Sequence, residues 1–259
     1  MCSLIILHRP GTPWPLILAA NRDELASRPW RAPDRHWPER PDVVAGIDLL
    51  SGGSWMGINR QGLVACILNR VGSLGPAQGK RSRGELVLEA LDHATAAEAA
   101  DSLSHLEAKS YRSFNLILAD EEEVFWLRNR GGGTHEVELL TVPQGLSMIT
   151  AHDLNDAHSH RIARFLPAFR AALPPDPDTD DWADWEALLA TGDPQDPLQG
   201  LCVVSGGDFG TVSSSLLALP NRPRALAEEP RLPIWRFAPG NPANAAFRSV
   251  TLPWDGEGS

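Results

Sequence analysis

The chain has 259 residues, a formal charge of −10 and a pI near 5.2, with 42% hydrophobic and 22% charged residues. This is the composition of a globular protein, and an acidic chain without a basic cluster is a poor candidate for binding nucleic acid. The longest apolar runs are far shorter than the roughly 20 residues of a membrane span, so we expect no membrane span. The start of the chain lacks the pattern of a secretory signal, so we expect a cytoplasmic protein.

The first 70 residues predict β structure, because short apolar runs alternate with turns rich in Gly, Pro and Asn. The expected strands are Ser3 to His8, Leu16 to Ala20, Val43 to Ile47, Trp55 to Ile58 and Leu63 to Leu68. The segment Arg28 to Pro41 interrupts this pattern with four prolines and two tryptophans. We expect it to form an irregular loop.

Helices are predicted by apolar residues spaced at three and four positions. A capping-box pattern, Ser82-Arg83-Gly84-Glu85, precedes the first of them, and an Ala-rich helix follows from Thr95 to Leu106. Arg161 to Leu173 is amphipathic, with Ile162, Phe165, Leu166, Phe169 and Leu173 on its apolar face, and Trp182 to Leu189 is a fourth helix candidate.

The remaining expected strands are Phe114 to Ala119, Glu123 to Arg128, Glu136 to Val142, Leu146 to Thr150, Leu201 to Val204, Ser213 to Leu219 and one around Ile234 to Phe237. The order of strands and helices predicts an α+β sandwich of layered sheets with the helices outside. No boundary divides the chain, so we expect one domain over residues 1–259, which becomes Pro-rich after about residue 220.

The three cysteines form no even set and no CxxC pair, which argues against a disulfide scaffold or a zinc ribbon. Cys2 is the one in a suggestive place, since removal of Met1 would leave it as the amino terminus. Its α-amine, with an ordinary pKa of about 7.7–8.0, could then act as general base for its own thiol. Taken alone, the position suits a small buried residue at the start of a strand equally well.

The charged quartet Asn21-Arg22-Asp23-Glu24 follows the second expected strand. If the first two strands form a hairpin in the right register, Arg22 would lower the pKa of the Cys2 thiol and Asp23 would hold the terminal amine. The alternative is a solvated turn with an internal ion pair worth under about 1 kcal/mol.

Cys2 and the quartet together resemble the NRDE family, also called the transport and Golgi organisation family. Further similar segments are Gly53 to Asn59, Gly62 to Ala65, Leu68-Asn69-Arg70, Ser82-Arg83-Gly84, Phe114-Asn115-Leu116, Gly145-Leu146-Ser147, Gly210-Thr211 and Ser213-Ser214. Their order and spacing over about 220 residues make the resemblance specific.

The resemblance implies a relationship to N-terminal-nucleophile hydrolases and a four-layer αββα sandwich. It also implies a catalytic role for Cys2 as nucleophile, for Arg22 and Asp23 beside it, and for Asn69 as a donor to the oxyanion. We assign substrate binding to Asn21 and Asn155. The implied activity is amide hydrolysis or acyl transfer on an unknown small molecule, with no cofactor and no metal.

Two departures from the related acylases leave other functions open. Val212 follows Gly210-Thr211 where many relatives carry Arg, and the segment Thr150 to Asp156 differs from the amide-bearing segment of the acylases, although Asn155 is a substitute. The alternative is therefore a non-enzymatic protein that binds or traffics haem or lipid on the same scaffold, or a plain interaction domain. The sequence does not indicate the oligomeric state.

Overall fold

The computed structural model describes residues 2–132, 136–221 and 231–254. The chain divides into two compact units. Unit 1 comprises residues 1–27 and 144–255, and unit 2 comprises residues 28–143. The prediction of a single domain stays a prediction.

The described residues form thirteen strands, of which all but the last are four residues or longer. They are β1 (Ser3–His8), β2 (Leu16–Leu25), β3 (Trp30–Asp34), β4 (Val43–Asp48), β5 (Met56–Asn59), β6 (Val64–Asn69), β7 (Phe114–Ala119), β8 (Val124–Asn129), β9 (Glu138–Thr141), β10 (Gly145–Ile149), β11 (Phe209–Leu219), β12 (Ile234–Ala238) and β13 (Arg248–Ser249). The α-helices of the described residues are α1 (Gly84–Leu91), α2 (Ala96–Ser104), α3 (His160–Ala171) and α4 (Ala183–Leu189), and short 3₁₀ turns lie at Ala108–Ser110 and Pro197–Gln199.

Unit 1 contains an antiparallel sheet in the order β10-β1-β2-β11-β12-β13. The predicted first hairpin is present, with Ser3 opposite Asn21 and His8 opposite Leu16. Helices α3 and α4 pack on this sheet, and Phe169 and Trp185 meet edge to face with ring centroids 5.1 Å apart. Leu173 does not belong to the apolar face as predicted, since α3 ends at Ala171 and Leu173 is 73% exposed.

Unit 2 contains an antiparallel sheet in which β3 to β9 are neighbours in chain order. Helices α1 and α2 connect β6 to β7 and bury Leu86, Ala90, Ala99 and Leu103 against the sheet. Each unit is thus a sheet with a layer of helices on it, as the α+β prediction requires.

The quartet at residues 21–24 lies inside β2 and not beyond the predicted strand end at Ala20, which also rules out the alternative of a solvated turn. Strand β2 continues to Leu25 because β11 runs beside it along its whole length, with Phe209 opposite Leu25 and Leu219 opposite Leu16. The main-chain groups of the charged residues are therefore satisfied by a strand almost 190 positions later in the chain.

Three further predictions about elements were wrong. The expected loop Arg28 to Pro41 contains the edge strand β3. A proline is tolerated there because one side of an edge strand has no neighbouring strand to which its main chain must donate hydrogen bonds. Residues 201–204 form only an isolated bridge, Val204 to Gly210. The capping box is absent: α1 has Arg83 at its N-cap with no side-chain cap, and the Ser82 hydroxyl accepts a 3.3 Å bond from the Gly84 N–H.

None of the helices in the described residues is long and apolar enough to span a bilayer.

Candidate active site

Cys2 lies directly before β1, next to the end of the quartet on β2. Its sulfur is 3.4 Å from the main-chain nitrogen of Asp23 and 3.6 Å from the main-chain oxygen of the same residue. Cys2 is partly exposed, whereas Cys66 and Cys202 are 5% and 1% exposed. Of the three cysteines, Cys2 is therefore the one whose residue is not fully buried.

The environment of Cys2 favours the protonated thiol. Burial raises the pKa of Cys2 above its ordinary value, and the negative charge of Asp23 raises it further. The Asp23 N–H and the charge of Arg22 lower it, but by less. Arg22 does lower the pKa of the Cys2 thiol as predicted, but burial and Asp23 outweigh it, so the net pKa is raised. Attack by the sulfur therefore requires a base to take its proton.

The Asp23 carboxylate is buried and held by two side chains from distant parts of unit 1. One oxygen accepts a 2.8 Å bond from Arg161 of α3, and the other accepts a 2.7 Å bond from the Thr211 hydroxyl. The Thr211 hydroxyl in turn accepts a 2.8 Å bond from the Val203 N–H. This fixes Asp23 from both sides, so the main-chain groups beside the Cys2 sulfur are fixed as well.

Arg22 is buried on β2, opposite Ser213 of β11. Arg22 directly precedes Asp23 in the chain, and its positive charge is near enough to lower the pKa of the Cys2 thiol. The structure thus brings Cys2, Arg22 and Asp23 together, as the sequence predicts.

A β-bulge at Val212 shapes the site. Thr211 lies opposite Asp23 and Ser213 lies opposite Arg22, so Val212 is the extra residue. Side chains in a regular strand alternate between faces, and Thr211 and Ser214 would otherwise lie on opposite faces. The bulge instead lets Thr211 bond to Asp23 and Ser214 bond to Asn21 on one face of β2.

The Asn21 side chain connects β2 to the chain beyond α4. Its amide nitrogen donates to the main-chain oxygens of Leu189 and Leu201, each at 2.9 Å, and its oxygen accepts a 2.5 Å bond from the Ser214 hydroxyl. All its polar hydrogens are used in this way, so the geometry favours an architectural role over the predicted contact with substrate.

Asn155, the other predicted substrate-binding residue, stands in the left-handed region with φ of 56°. Its side-chain oxygen accepts from the Met148 N–H at 2.8 Å, and its nitrogen donates to the Ser147 hydroxyl at 3.1 Å. These bonds place Asn155 against β10, the strand that pairs with β1. Its role with substrate stays a prediction.

Asn69 lies in unit 2 as the last residue of β6, opposite Phe114 of β7. The loop after it is braced by residues of two other family motifs. Arg70 donates a 2.7 Å bond to the Asn115 side chain, and Arg83 donates to the Ser73 hydroxyl at 2.9 Å. The oxyanion role of Asn69 stays a prediction.

A close glycine contact joins two more of these motifs in unit 2. A Cβ atom on Gly53 would lie 2.4 Å from the main-chain carbon of Gly84, so no larger residue fits without moving backbone. The Ser54 N–H donates a 2.9 Å bond to the Gly84 oxygen at this contact. The motifs around residues 53 and 84 thus have a packing explanation.

A cavity of about 440 Å³ in unit 1 is lined by Gly192, Asp193, Pro194, Pro197, Cys202 and Val204. The Cys202 thiol lies 2.9 Å from the side-chain oxygen of Asn241, and burial raises its pKa. Cys202 therefore belongs to the packing of the cavity wall.

Two histidines, His152 and His158, lie close to the Asp156 carboxylate before α3. His158 lies 2.8 Å from Asp156 and is almost fully exposed, and His152 is 3.7 Å from the same carboxylate. Within residues 2–132, 136–221 and 231–254, no three His, Cys, Asp or Glu side chains are arranged to hold a metal ion.

Arg161 is the residue at this site that sequence analysis missed. It occupies the second position of α3 and is 2% exposed. A sequence indication does exist: Arg161 stands four and eight residues before Phe165 and Phe169, on the face of the helix that is buried. A charge on that face is costly unless it is paired, which points to a buried acidic partner.

A sequence profile of one family, described as "Transport and Golgi organisation 2", matches residues 1–219. Two curated relatives are the Transport and Golgi organization protein 2 homologs of Bos taurus, 42% identical over 115 residues, and of Homo sapiens, 40% identical over 113 residues. Each match covers 40% of this chain and 38% of the relative.

The fold is similar to that of solved hydrolases. A Caenorhabditis elegans N-acylethanolamine-hydrolyzing acid amidase ortholog superposes with a TM-score of 0.58 at 14% identity, covering 83% of this chain and 92% of that one. A variant of conjugated bile acid hydrolase from Clostridium perfringens gives a TM-score of 0.58 at 11% identity, covering 96% and 97%. At this identity the likeness shows the fold alone, which is an α+β sandwich of the N-terminal-nucleophile hydrolase type. The predicted fold class is confirmed.

Proposed function

The chain belongs to the Transport and Golgi organisation 2 family, and we propose that it is an N-terminal cysteine amidohydrolase or acyltransferase with Cys2 as nucleophile. The observation that carries this proposal is the placement of Cys2. The residue is partly exposed, and its sulfur rests on the main chain of Asp23, whose carboxylate is fixed by Arg161 and Thr211. A thiol held in a fixed position is what nucleophilic catalysis requires.

The raised pKa of the Cys2 thiol is consistent with this mechanism. A protonated thiol needs a base, and removal of Met1 would supply the α-amine of Cys2 itself, which is half neutral near pH 8. The proton passes from the sulfur to this amine while the sulfur attacks the carbonyl carbon of the substrate.

The remaining steps follow from the chemistry of acyl transfer. The C–S bond forms and the carbonyl oxygen takes the negative charge of a tetrahedral intermediate. The ammonium of Cys2 then protonates the departing nitrogen, the C–N bond breaks, and a thioester remains on Cys2. Water or another acceptor attacks the thioester and releases the thiol.

Asn69 is proposed to donate a hydrogen bond to the oxyanion, a role that rests on the family resemblance. A donor of this kind contributes about 2.7–4 kcal/mol to transition-state binding. We propose Arg22 and Asp23 as the groups that set the electrostatics at the thiol, and a small amide or acyl compound as substrate.

Turnover of a panel of N-acyl amides tests the proposal, with wild type and Cys2→Ala compared under identical conditions. We expect hydrolysis by the wild type, none by Cys2→Ala, and unchanged hydrolysis by Cys202→Ala, whose thiol is buried away from solvent. Hydrolysis that survives Cys2→Ala would contradict the proposal.

A second candidate is a non-enzymatic binding protein for haem or lipid, which the apolar residue at Val212 favours. Titration with haem and with acyl-CoA separates the two functions. Binding that survives Cys2→Ala, together with no amide turnover by the wild type, supports this second function.

A further inference from the structure

The guanidinium of Arg161 contacts two residues that adjoin the proposed nucleophile, Ser3 and Asp23. It donates a 2.8 Å bond to the Asp23 carboxylate and a 3.0 Å bond to the Ser3 hydroxyl. Ser3 follows Cys2 in the chain, and Asp23 supplies the main-chain groups against which the Cys2 sulfur rests. One cation on α3 thus ties together the start of β1 and the end of β2.

A third contact extends this arrangement to the segment after α4. The second guanidinium nitrogen of Arg161 donates a 2.9 Å bond to the main-chain oxygen of Leu198, in the 3₁₀ turn Pro197–Gln199. That turn contributes Pro197 to the wall of the 440 Å³ cavity. The planar guanidinium holds donors on two separate nitrogens in a fixed geometry, and both nitrogens are used here, whereas a lysine ammonium carries its three donors on one nitrogen.

We propose that Arg161 is a positioning residue of this site: it acts through Asp23 and Ser3 to hold Cys2 in the geometry for attack. The inference rests on the proposed function of Cys2. It differs from a purely structural ion pair in what its partners do. Asp23 contacts the reacting sulfur through its main chain, Ser3 is the residue that follows Cys2, and Leu198 lies in the turn beside the cavity.

The pairing also has an electrostatic consequence. The charge of Asp23 raises the pKa of both Cys2 and Cys202, and Arg161 is the cation that is paired with that charge. The other groups that act on the Cys2 thiol are Arg22 on the same strand and the amino terminus. Without Arg161, the uncompensated carboxylate would hold the Cys2 thiol protonated to higher pH.

Alkylation of Cys2 by iodoacetamide between pH 6 and 11, read by peptide mass, tests the inference without any known substrate. For Arg161→Met we expect the midpoint of the alkylation profile to move upward by about one pH unit. The matched control is Arg164→Met on the same helix, since Arg164 pairs with Asp193 and not with Asp23. We expect its profile to match that of the wild type.

Arg161→Lys covers the case in which the methionine variant does not fold. This variant keeps the positive charge beside Asp23 but loses the planar guanidinium with its two donor nitrogens. Because the charge is kept, we expect the midpoint of the alkylation profile to stay at the wild-type pH. Where amide turnover is measurable, we expect kcat to fall on the order of 100-fold with KM little changed, because small misplacements of a nucleophile have effects of this size.

The outcomes separate this inference from the proposed function. If Cys2 hydrolyses amides and neither Arg161 variant changes kcat or the alkylation profile, the inference is wrong and the function stands. If no amide is hydrolysed but Arg161→Met moves the midpoint and Arg161→Lys does not, Arg161 still sets the geometry and charge at Cys2, and the enzymatic function is what fails.

Discussion

The sulfur of Cys2 rests on the main chain of Asp23, 3.4 Å from its nitrogen and 3.6 Å from its oxygen, while the Asp23 carboxylate is held by Arg161 and Thr211. The main chain of Asp23 therefore positions the thiol, and its side chain anchors that main chain to α3 and β11. Asp23 of the charged quartet thus contributes its main chain to the contact with Cys2 and its side chain to the contacts with α3 and β11.

The first prediction concerns thiol reactivity in the native protein. We expect Cys2 to be alkylated far faster than Cys66 or Cys202, because the latter two are buried. Its rate should rise mainly above the ordinary thiol pKa of about 8.5, since burial and Asp23 raise the pKa of Cys2. Iodoacetamide labelling followed by peptide mapping measures this. Rapid labelling of Cys202 in the folded protein, or full reactivity of Cys2 at pH 6, would contradict it.

The second prediction concerns Asn21. Asn21→Ala removes three buried hydrogen bonds and leaves the main-chain oxygens of Leu189 and Leu201 without this donor. We expect the free energy of unfolding to fall by about 3 kcal/mol, measured by urea denaturation. Asn244→Ala, at an exposed position, is the control and should be near neutral. A loss below 1 kcal/mol for Asn21→Ala, compared with typical net hydrogen-bond contributions of about 0.5–1.5 kcal/mol each, would argue against its architectural role.

The third prediction concerns the ion pair between Arg28 and Asp48 in unit 2, with nitrogen and oxygen 2.5 Å apart. Burial alone would raise the pKa of Asp48, but the hydrogen bond and charge of Arg28 and the N–H groups of Ser51 and Leu50 lower it below its ordinary value. The native state therefore gains stability from the ionised carboxylate above its unfolded pKa, near 3.9, and loses it as the pH falls through the lower native pKa.

Asp48→Asn tests this pair. We expect a loss of about 1–3 kcal/mol at pH 7, and a smaller difference from wild type near pH 3, where the carboxyl is increasingly protonated in the unfolded chain. Urea denaturation at both pH values measures the two differences. An equal difference at both would show that the ionised state of Asp48 is not what stabilises this part of unit 2.

The fourth prediction concerns the glycine contact in unit 2. Gly53→Ala would place a Cβ atom 2.4 Å from the main-chain carbon of Gly84, and we expect destabilisation by about 1–3 kcal/mol. Gly207→Ala is the control, because the nearest atom to its added Cβ is a flexible serine hydroxyl at 3.8 Å. Thermal unfolding of both variants measures the difference, and equal effects would remove the packing explanation for the motif.

Elements bounded by local features could be predicted from the sequence. Strands β1 and β7 are uniform apolar runs between turns, and their ends match the predicted ones, Ser3 to His8 and Phe114 to Ala119. The grouping of Cys2, Arg22 and Asp23 followed from the hairpin register together with the family resemblance.

Features that depend on distant partners could not be predicted in this way. Charged residues at the end of β2 resemble a turn, and only the pairing with β11 makes them a strand. The bulge at Val212 is set by the register of two strands and has no local pattern. Arg161 pairs with Asp23, which is 138 positions away in the chain. This pairing could not be predicted because it depends on how α3 packs on the sheet.

The central claim is that Cys2, as the amino-terminal residue, carries the acyl group during turnover. Intact-mass analysis of the purified protein, before and after an acid-quenched reaction with a reactive acyl ester, tests it most directly. The account predicts a starting mass that lacks Met1 and a gain of one acyl group, which peptide mapping places on Cys2 and which Cys2→Ala does not acquire. A mature protein that retains Met1, or an acyl group that Cys2→Ala acquires equally well, would contradict it.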